Sequence, residues 1–287
     1  MTTMECVFKV AAQLGEGPMW SARERALWFV DIKGQHIYRY EEATRSTLSW
    51  RAPEEVGFIV PARRGQFICG LQSGLYRFEP EGGTFELLAR VDSDRPGNRL
   101  NDGHVDAAGR LWFGTMDNGE TAPTGALYRF DASGLTRRDD GYAITNGPAT
   151  SPDGRTLYHV DTLQRLVYAF DLDADGSLSG RRIFARIADA DGYPDGPTVD
   201  AAGCVWVSLY DGWGVNRYSP AGELLEKLPL PVANCTKAAF GGDDLRTLYV
   251  TTAWKGLTDE QRAQQALAGG LFAGRVDTPG LPMHEVG

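Results

Sequence analysis

The amino-acid sequence predicts an all-β fold, a six-bladed β-propeller with four antiparallel strands in each blade. Three observations predict it. Glycine is in excess, at 35 of 287 residues against about 7% in average usage, which indicates many tight turns. Short apolar strands separated by Asp-Gly and Asn-Gly turns recur along the chain. The recurring unit is about 44 residues long, which is the length of one four-stranded blade.

The repeat occupies nearly the whole chain, so we expect residues 1–287 to form a single domain. The segment 5–11 has the pattern of a strand that precedes the first full unit, whereas the last unit shows three strands. The N-terminal strand is therefore expected to close the last blade. One aromatic or apolar residue per unit marks the period: Trp28, Ile68, Trp112, Tyr158, Trp206 and Tyr249.

One segment departs from the strand pattern. Residues 257–268, with the sequence LTDEQRAQQALA, have a helix-forming composition. Thr258 is a candidate N-cap, with Glu260 nearby. The sequence predicts a helix here, on the surface between two strands of the last blade.

Charge and composition exclude several classes of partner. The chain carries 29 basic and 38 acidic residues, a net charge of −9, which disfavours nucleic acid and anionic membranes as partners. No apolar run approaches the ~18 residues of a membrane-spanning helix, and the N-terminus does not resemble a secretory signal. The four cysteines form no Cys-x-x-Cys pair, which is typical of free thiols in a reducing compartment. We expect a cytoplasmic protein, monomeric or weakly oligomeric.

Four oxygen-bearing residues recur at one phase of the repeat, each directly before a glycine: Glu16, Asp102, Asn146 and Asp195. In a propeller the first strand of each blade lines the central channel, so these side chains are expected to converge near the axis. Asp-Gly and Asn-Gly are also common turn dipeptides, which is the competing structural explanation. Glu-Gly is not a favoured turn pair, and this favours a metal site.

The donor types limit the choice of metal. The chain has only four histidines, and none has a recognisable zinc-binding spacing. A set of carboxylate and amide oxygens suits Ca²⁺, Mg²⁺ or Mn²⁺ and is also compatible with Fe(II).

Several longer strings carry a resemblance to a known family. They are LGEGPMW, RLNDGHVDAAGRLWFGTM, ITNGPATSPDGRTLY, YPDGPTVDAAGCVWV and FGGDDLRTLYVTTA. In this order and spacing the chain resembles the SMP-30/gluconolactonase/LRE (regucalcin-like) family over about residues 14–275. Within that family it looks most like bacterial sugar lactonases such as xylonolactonase. The resemblance implies a six-bladed propeller with one divalent metal ion, Ca, Zn, Mn or Fe(II), at the axis.

The resemblance also implies roles for individual residues. Its metal ligands fall on Glu16, Asn146 and Asp195, and Asp102 is then implied to support the site without binding the metal. Its substrate-binding residues fall on Arg99 and Asn101 of the R-x-N-D-G motif.

A further acidic residue of the substrate pocket follows the G-T-M motif in this family. In the segment MDNGETAP that position falls on Glu120 or Asp117. Tyr193 and Trp213 are separate candidates, because their rings could stack on a substrate or pack between blades.

The implied activity is the metal-dependent hydrolysis of a sugar lactone to its aldonic acid. The substrate would be an aldono-1,4- or 1,5-lactone, including pentonolactones such as xylonolactone and arabinonolactone. Asp195 is the candidate general base. Two alternatives stay open: a non-catalytic calcium-binding or scaffold propeller, and a metal-dependent organophosphate or aryl-ester hydrolase.

Overall fold

The computed structural model describes residues 2–287, and most of their regular structure is β-strand. The chain opens with β1 (Glu5–Phe8). Sixteen strands then form four separate antiparallel sheets, each made of four consecutive strands. They are β2 (Gly15–Ser21), β3 (Ala26–Asp31), β4 (His36–Glu41) and β5 (Ser46–Arg51); β6 (Val56–Ala62), β7 (Gln66–Leu71), β8 (Gly74–Glu79) and β9 (Thr84–Arg90); β10 (Asn98–Val105), β11 (Leu111–Asp117), β12 (Gly125–Asp131) and β13 (Gly134–Tyr142); and β14 (Thr145–Thr150), β15 (Thr156–Asp161), β16 (Leu166–Leu172) and β17 (Leu178–Arg186).

The predicted division into six separate four-stranded blades is wrong. Only four sheets are separate, and the remaining eight strands form one continuous sheet in the order β1-β24-β23-β22-β18-β19-β20-β21. In this sheet β1 pairs antiparallel with β24, at the opposite end of the chain. The seven strands not yet named are β18 (Tyr193–Val199), β19 (Val205–Tyr210), β20 (Gly214–Tyr218), β21 (Leu224–Pro229), β22 (Asn234–Gly241), β23 (Thr247–Ala253) and β24 (Leu271–Arg275).

A close approach of two inner strands causes the difference. β18 and β22 pair in parallel at Gly196 and Lys237. A Cβ atom on Gly196 would lie 2.6 Å from Cγ of Lys237, so the strands can come this close only because residue 196 has no side chain. The sequence repeat counts strands, but it does not show where neighbouring inner strands come within hydrogen-bonding distance.

The architecture is an all-β propeller. The inner strands β2, β6, β10 and β14 of the separate sheets, together with β18 and β22, follow one another around a common axis. Neighbouring sheets pack face to face through apolar side chains. Between the first two sheets, for example, the ring centroids of Trp28 and Phe67 lie 4.5 Å apart. Burial of such surfaces holds the inner strands in place around the axis.

A repeated string shows how the local sequence fixes these sheets. The string VDAAG occurs twice, and in each copy a buried tryptophan follows six residues after the aspartate. Asp106 accepts a hydrogen bond from Nε1 of Trp112 at 2.7 Å, and Asp200 accepts one from Nε1 of Trp206 at 3.0 Å. Each aspartate thereby satisfies an indole N–H that would otherwise be buried without a partner.

The predicted helix is confirmed, although it is shorter than the predicted span. α1 (Asp259–Gln264) lies between β23 and β24. Thr258 is its N-cap, and a capping box joins Thr258 to Gln261 rather than to Glu260. Two single-turn 3₁₀ segments, Arg63–Gly65 and Asp189–Asp191, complete the helical structure of the described chain. Across residues 2–287 there is no helix with the length and apolarity needed to cross a membrane.

The C-terminal segment covers one end of the central channel. The Gly280 N–H donates to the carbonyl of Leu245, and the Val286 N–H donates to that of Pro61. Between these two anchors, residues 281–284 line a small cavity together with the inner strands. The predicted site residues line a different cavity, described next.

Candidate functional site

A cavity of about 270 Å³ near the axis brings together the three predicted metal ligands and the predicted substrate-binding residues Arg99, Asn101 and Glu120. Its polar lining residues include Glu16, Arg99, Asn101, Glu120, Asn146 and Asp195. Its apolar and aromatic lining residues include Leu14, Met116, Ile144, Tyr193 and Tyr210. A cavity lined by both kinds of side chain suits a small molecule with both hydroxyl groups and C–H surface.

Irregular pairing of the inner strands directs the key side chains into this cavity. The antiparallel register shifts directly after Glu16 on β2 and directly after Asn146 on β14. On β18 the shift spans Asp195, and on β10 it follows Leu100. Such bulges re-aim individual side chains. The glycine that follows Glu16, Asn146 or Asp195 in the sequence belongs to the bulge rather than to an ordinary hairpin turn.

Two carboxyl groups lie buried side by side in the cavity. Glu16 is 3% exposed and Asp195 is 6% exposed. Burial raises the pKa of Glu16, and the charge of Asp102 raises it further. Burial and the neighbouring Glu16 carboxyl raise the pKa of Asp195 well above its usual value. The Glu16 carboxyl disfavours ionisation of Asp195, and a cation between the two groups would offset this repulsion.

The third predicted ligand, Asn146, is held by hydrogen bonds. Its Nδ2 donates to Oγ1 of Thr162 at 2.9 Å, and the Thr162 hydroxyl donates to the carbonyl of Pro194 at 2.9 Å. The amide oxygen of Asn146 accepts from Nδ2 of Asn101 at 2.9 Å. Thr162 therefore fixes which atom of Asn146 is the acceptor on the cavity side. Sequence reasoning did not identify Thr162, because no motif includes it.

The donor set fits a divalent cation that prefers oxygen. Within residues 2–287 no three or more His, Cys, Asp or Glu side chains form a metal-binding group. The predicted set differs from such a group, since it combines two carboxylates, Glu16 and Asp195, with the amide oxygen of Asn146. These are hard donors of the kind that Ca²⁺, Mg²⁺ and Mn²⁺ take in proteins.

Asp102, the fourth residue of the shared phase, is not part of the cavity wall. Its Oδ2 accepts from the Gly147 N–H and its Oδ1 from the Gly103 N–H, both at 2.8 Å. Nζ of Lys237 lies 2.5 Å from Oδ1, and both side chains are buried. Asp102 thus holds the backbone next to Asn146 and is neutralised by a lysine of its own.

Arg99 lies at the cavity wall, and its guanidinium is largely bound by the protein. Nε donates to Oδ1 of Asn118 at 3.0 Å, and Nη1 donates to the Leu100 carbonyl and to Oδ1 of Asn101. The Glu55 carboxylate lies 3.7 Å away. Arg99 therefore orients Asn101, and Asn118 of the MDNGE segment orients Arg99.

The two acidic candidates after the G-T-M motif, Glu120 and Asp117, have different positions in the structure. Glu120 lines the cavity. Asp117 instead accepts hydrogen bonds from the backbone N–H groups of Ala122, Thr121 and Gly119, which lower its pKa to about 2. Asp117 thus closes the turn that carries Glu120.

Two lining residues were not found by sequence reasoning. Tyr210 and Lys255 come from segments without a recognisable motif, and Nζ of Lys255 lies 2.6 Å from Oε1 of Glu120. Trp213 is 46% exposed and does not line the cavity. The absence of a local signal is expected, because these side chains meet only through the closure of the ring.

Comparison with known proteins adds a family to this geometry. Residues 14–254 match the family described as SMP-30/Gluconolactonase/LRE-like region. The chain is 38% identical to the 6-deoxy-6-sulfogluconolactonase of Pseudomonas putida, over 97% of this chain and 96% of that protein. It is 34% identical to the regucalcin of Xenopus laevis, over 94% of this chain and 93% of that protein.

A solved structure is also similar along the full chain. The crystal structure of a calcium-binding protein, regucalcin, from Agrobacterium tumefaciens superposes with a TM-score of 0.96. The two sequences are 26% identical, and the superposition covers 100% of this chain and 98% of that one.

Proposed function

Because the chain belongs to the SMP-30/gluconolactonase/LRE-like family, we propose that it is a lactonase, which hydrolyses a sugar lactone to the corresponding aldonic acid. The observation that carries the proposal is the buried pair of carboxyl groups, Glu16 and Asp195, beside the amide of Asn146 in a cavity of about 270 Å³. A cavity of this size accepts a small ring but not a polymer.

The metal-dependent form of this reaction assigns a function to each polar group. Glu16, Asn146 and Asp195 would hold one divalent cation. When bound, such an ion polarises the lactone carbonyl and stabilises the negative charge that develops on its oxygen. One relative is a regucalcin, and the similar solved structure of a regucalcin is described as that of a calcium-binding protein. Both support a divalent ion in this family.

The other residues of the cavity bind and orient the substrate or move protons. Asp195 accepts a proton from the attacking water as general base, and this proton passes to the ring oxygen when its bond to the carbonyl carbon breaks. Arg99 and Asn101, already joined by a hydrogen bond of 2.5 Å, orient the substrate ring. Nη2 of Arg99 donates to the ring oxygens and hydroxyls, and the amide oxygen of Asn101 accepts from a hydroxyl. Glu120 accepts a hydrogen bond from a substrate hydroxyl. The rings of Tyr193 and Tyr210 pack against the C–H face of the sugar.

The proposed substrates are aldonolactones. The name of the Pseudomonas putida relative supports a lactone of the six-carbon gluconate type. The pentonolactones expected from the sequence, xylonolactone and arabinonolactone, are the five-carbon alternatives, and the same cavity chemistry would act on them.

Release of acid from a panel of lactones tests the proposal. Glucono-1,5-lactone, xylono-1,4-lactone and arabinono-1,4-lactone are each assayed with chelator and after addition of Ca²⁺, Mg²⁺, Mn²⁺, Zn²⁺ or Fe²⁺, and spontaneous opening is subtracted. We expect a chelator-sensitive rate that Glu16→Gln abolishes. Glu81→Gln, which changes an exposed glutamate outside the cavity, is the matched control and should keep full activity.

The same assay distinguishes the other functional classes. A protein that binds Ca²⁺ and opens none of the lactones would be a calcium-binding propeller, a class that the description of the Agrobacterium tumefaciens structure favours. Activity on aryl esters or organophosphates without activity on any lactone would also contradict the proposal.

A further inference from the structure

Lys255 places a positive charge in the cavity wall that the sequence motifs do not include. It follows β23, whereas its partner Glu120 lies between β11 and β12 in a different sheet. The Lys255 ammonium group and the Glu120 carboxylate are 2.6 Å apart, so the ion pair links two segments that are 135 residues apart in the chain. Both residues line the cavity.

The backbone of Lys255 is anchored on both sides. Its N–H donates to the carbonyl of Gln13 at 2.9 Å. Its carbonyl accepts from Nδ2 of Asn234 at 2.9 Å and from the hydroxyl of Tyr210. With the main chain fixed by three hydrogen bonds, the lysine side chain extends from a rigid base.

The protein already binds three of the five N–H donors of Arg99, but one of the three N–H donors of Lys255. Arg99 uses its guanidinium on Asn118, Leu100 and Asn101, next to the carboxylate of Glu55. An ammonium group has three N–H donors, and within residues 2–287 that of Lys255 has a single partner, Glu120. Lys255 can therefore donate to a ligand without losing its existing contact.

The charge of the loaded cavity favours an anionic ligand. The wall contains three carboxylates, from Glu16, Asp195 and Glu120, and two cations, from Arg99 and Lys255. A divalent ion held by Glu16, Asn146 and Asp195 would add two positive charges, and the cavity would then carry one positive charge in excess. The Lys255–Glu120 pair is about one-third exposed, so it is weak enough for an incoming anion to share the lysine.

We propose that Lys255 is a specificity-determining residue that binds an anionic substituent of the lactone, such as a phosphate or a carboxylate. This inference rests on the proposed lactonase function and extends it to a substrate class. A neutral hydroxyl in the same place would accept a hydrogen bond from the ammonium group, whereas an anion would accept the same bond and also gain the attraction between opposite charges.

A pair of substrates that differ in one group tests the proposal. The value of kcat/KM is measured for glucono-1,5-lactone and for its 6-phosphate, in the wild type and in Lys255→Met. The expected loss is at least about tenfold larger for the phosphate than for the neutral lactone, mainly through KM, because only the phosphate loses an attraction between opposite charges. Lys255→Arg should retain the preference. Lys227→Met, on the outer strand β21, is the matched control.

Equal losses of kcat/KM on both substrates in Lys255→Met, which leave the preference for the phosphate unchanged, would overturn the proposal. Binding is measured separately by calorimetry, with 6-phosphogluconate as the probe. A wild type that opens neither lactone contradicts the proposed function. In that case tighter binding of the probe to the wild type than to Lys255→Met still supports an anion site, and equal binding removes it.

Discussion

The ion pair between Lys237 and Asp102 lies beside the candidate metal site and should contribute strongly to stability. The side chains are 9% and 1% exposed, and Nζ lies 2.5 Å from Oδ1. Lys237→Met removes the cation and keeps most of the aliphatic volume. Asp102 then remains buried with only the N–H groups of Gly103 and Gly147 as partners.

Breaking one side of such a pair costs about 3–5 kcal/mol, because a buried charge is left without a counter-ion. For a domain of this size that corresponds to a lowering of Tm of roughly 2 °C per kcal/mol, so roughly 6–10 °C in total. Asp102→Asn should cost a similar amount, since it leaves the lysine uncompensated. The double variant removes both charges, and it should be less destabilised than the sum of the two single variants.

The assay is urea unfolding of chelator-treated protein, followed by tryptophan fluorescence. Lys227→Met is the matched control, because Lys227 pairs with Asp191 at 3.5 Å and both side chains are at least 40% exposed. That change should alter the free energy of unfolding by less than about 1 kcal/mol. The reasoning is refuted if Lys237→Met behaves like the control, or if the two single variants are strictly additive in the double variant.

Two further changes test the packing and the site. In Gly196→Ala the new Cβ would lie 2.6 Å from Lys237, so the free energy of unfolding should fall by about 1–3 kcal/mol in urea titrations. In Gly97→Ala no atom lies within 4 Å of the added Cβ, so the free energy of unfolding should fall by no more than about 0.5 kcal/mol. Equal effects of the two substitutions would contradict the close approach of the strands. Thr162→Val removes the acceptor for Nδ2 of Asn146. Metal binding should weaken by about fivefold in calorimetry, and Tm should fall by about 2–6 °C because a buried N–H group loses its partner. An unchanged metal affinity would show that Thr162 does not orient the amide.

The sequence predicted the parts of the fold that repeat. The recurrence of Trp28, Trp112 and Trp206 marks a strand period, and the all-β propeller follows from it. The separation into six sheets failed at one place, where Gly196 lets β18 approach Lys237 on β22. A repeat contains no information on how closely two inner strands approach, because that distance depends on packing across the axis.

The same contrast holds for the candidate site. Glu16, Asn146 and Asp195 could be found because each stands before a glycine at one phase, and the structure adds that each belongs to a strand bulge. Thr162 and Lys255 could not be found, since each meets its partner through tertiary contacts between distant segments.

The metal dependence of lactone hydrolysis in Asn146→Ala tests the central claim most directly. The initial rate on glucono-1,5-lactone is measured against Mn²⁺ concentration for the variant and the wild type. With one of three oxygen donors removed, the half-saturating Mn²⁺ concentration should rise by about tenfold or more, in line with the loss of one charge-assisted contact. An unchanged half-saturating concentration, with a chelator-sensitive rate in both proteins, would contradict a metal site formed by Glu16, Asn146 and Asp195.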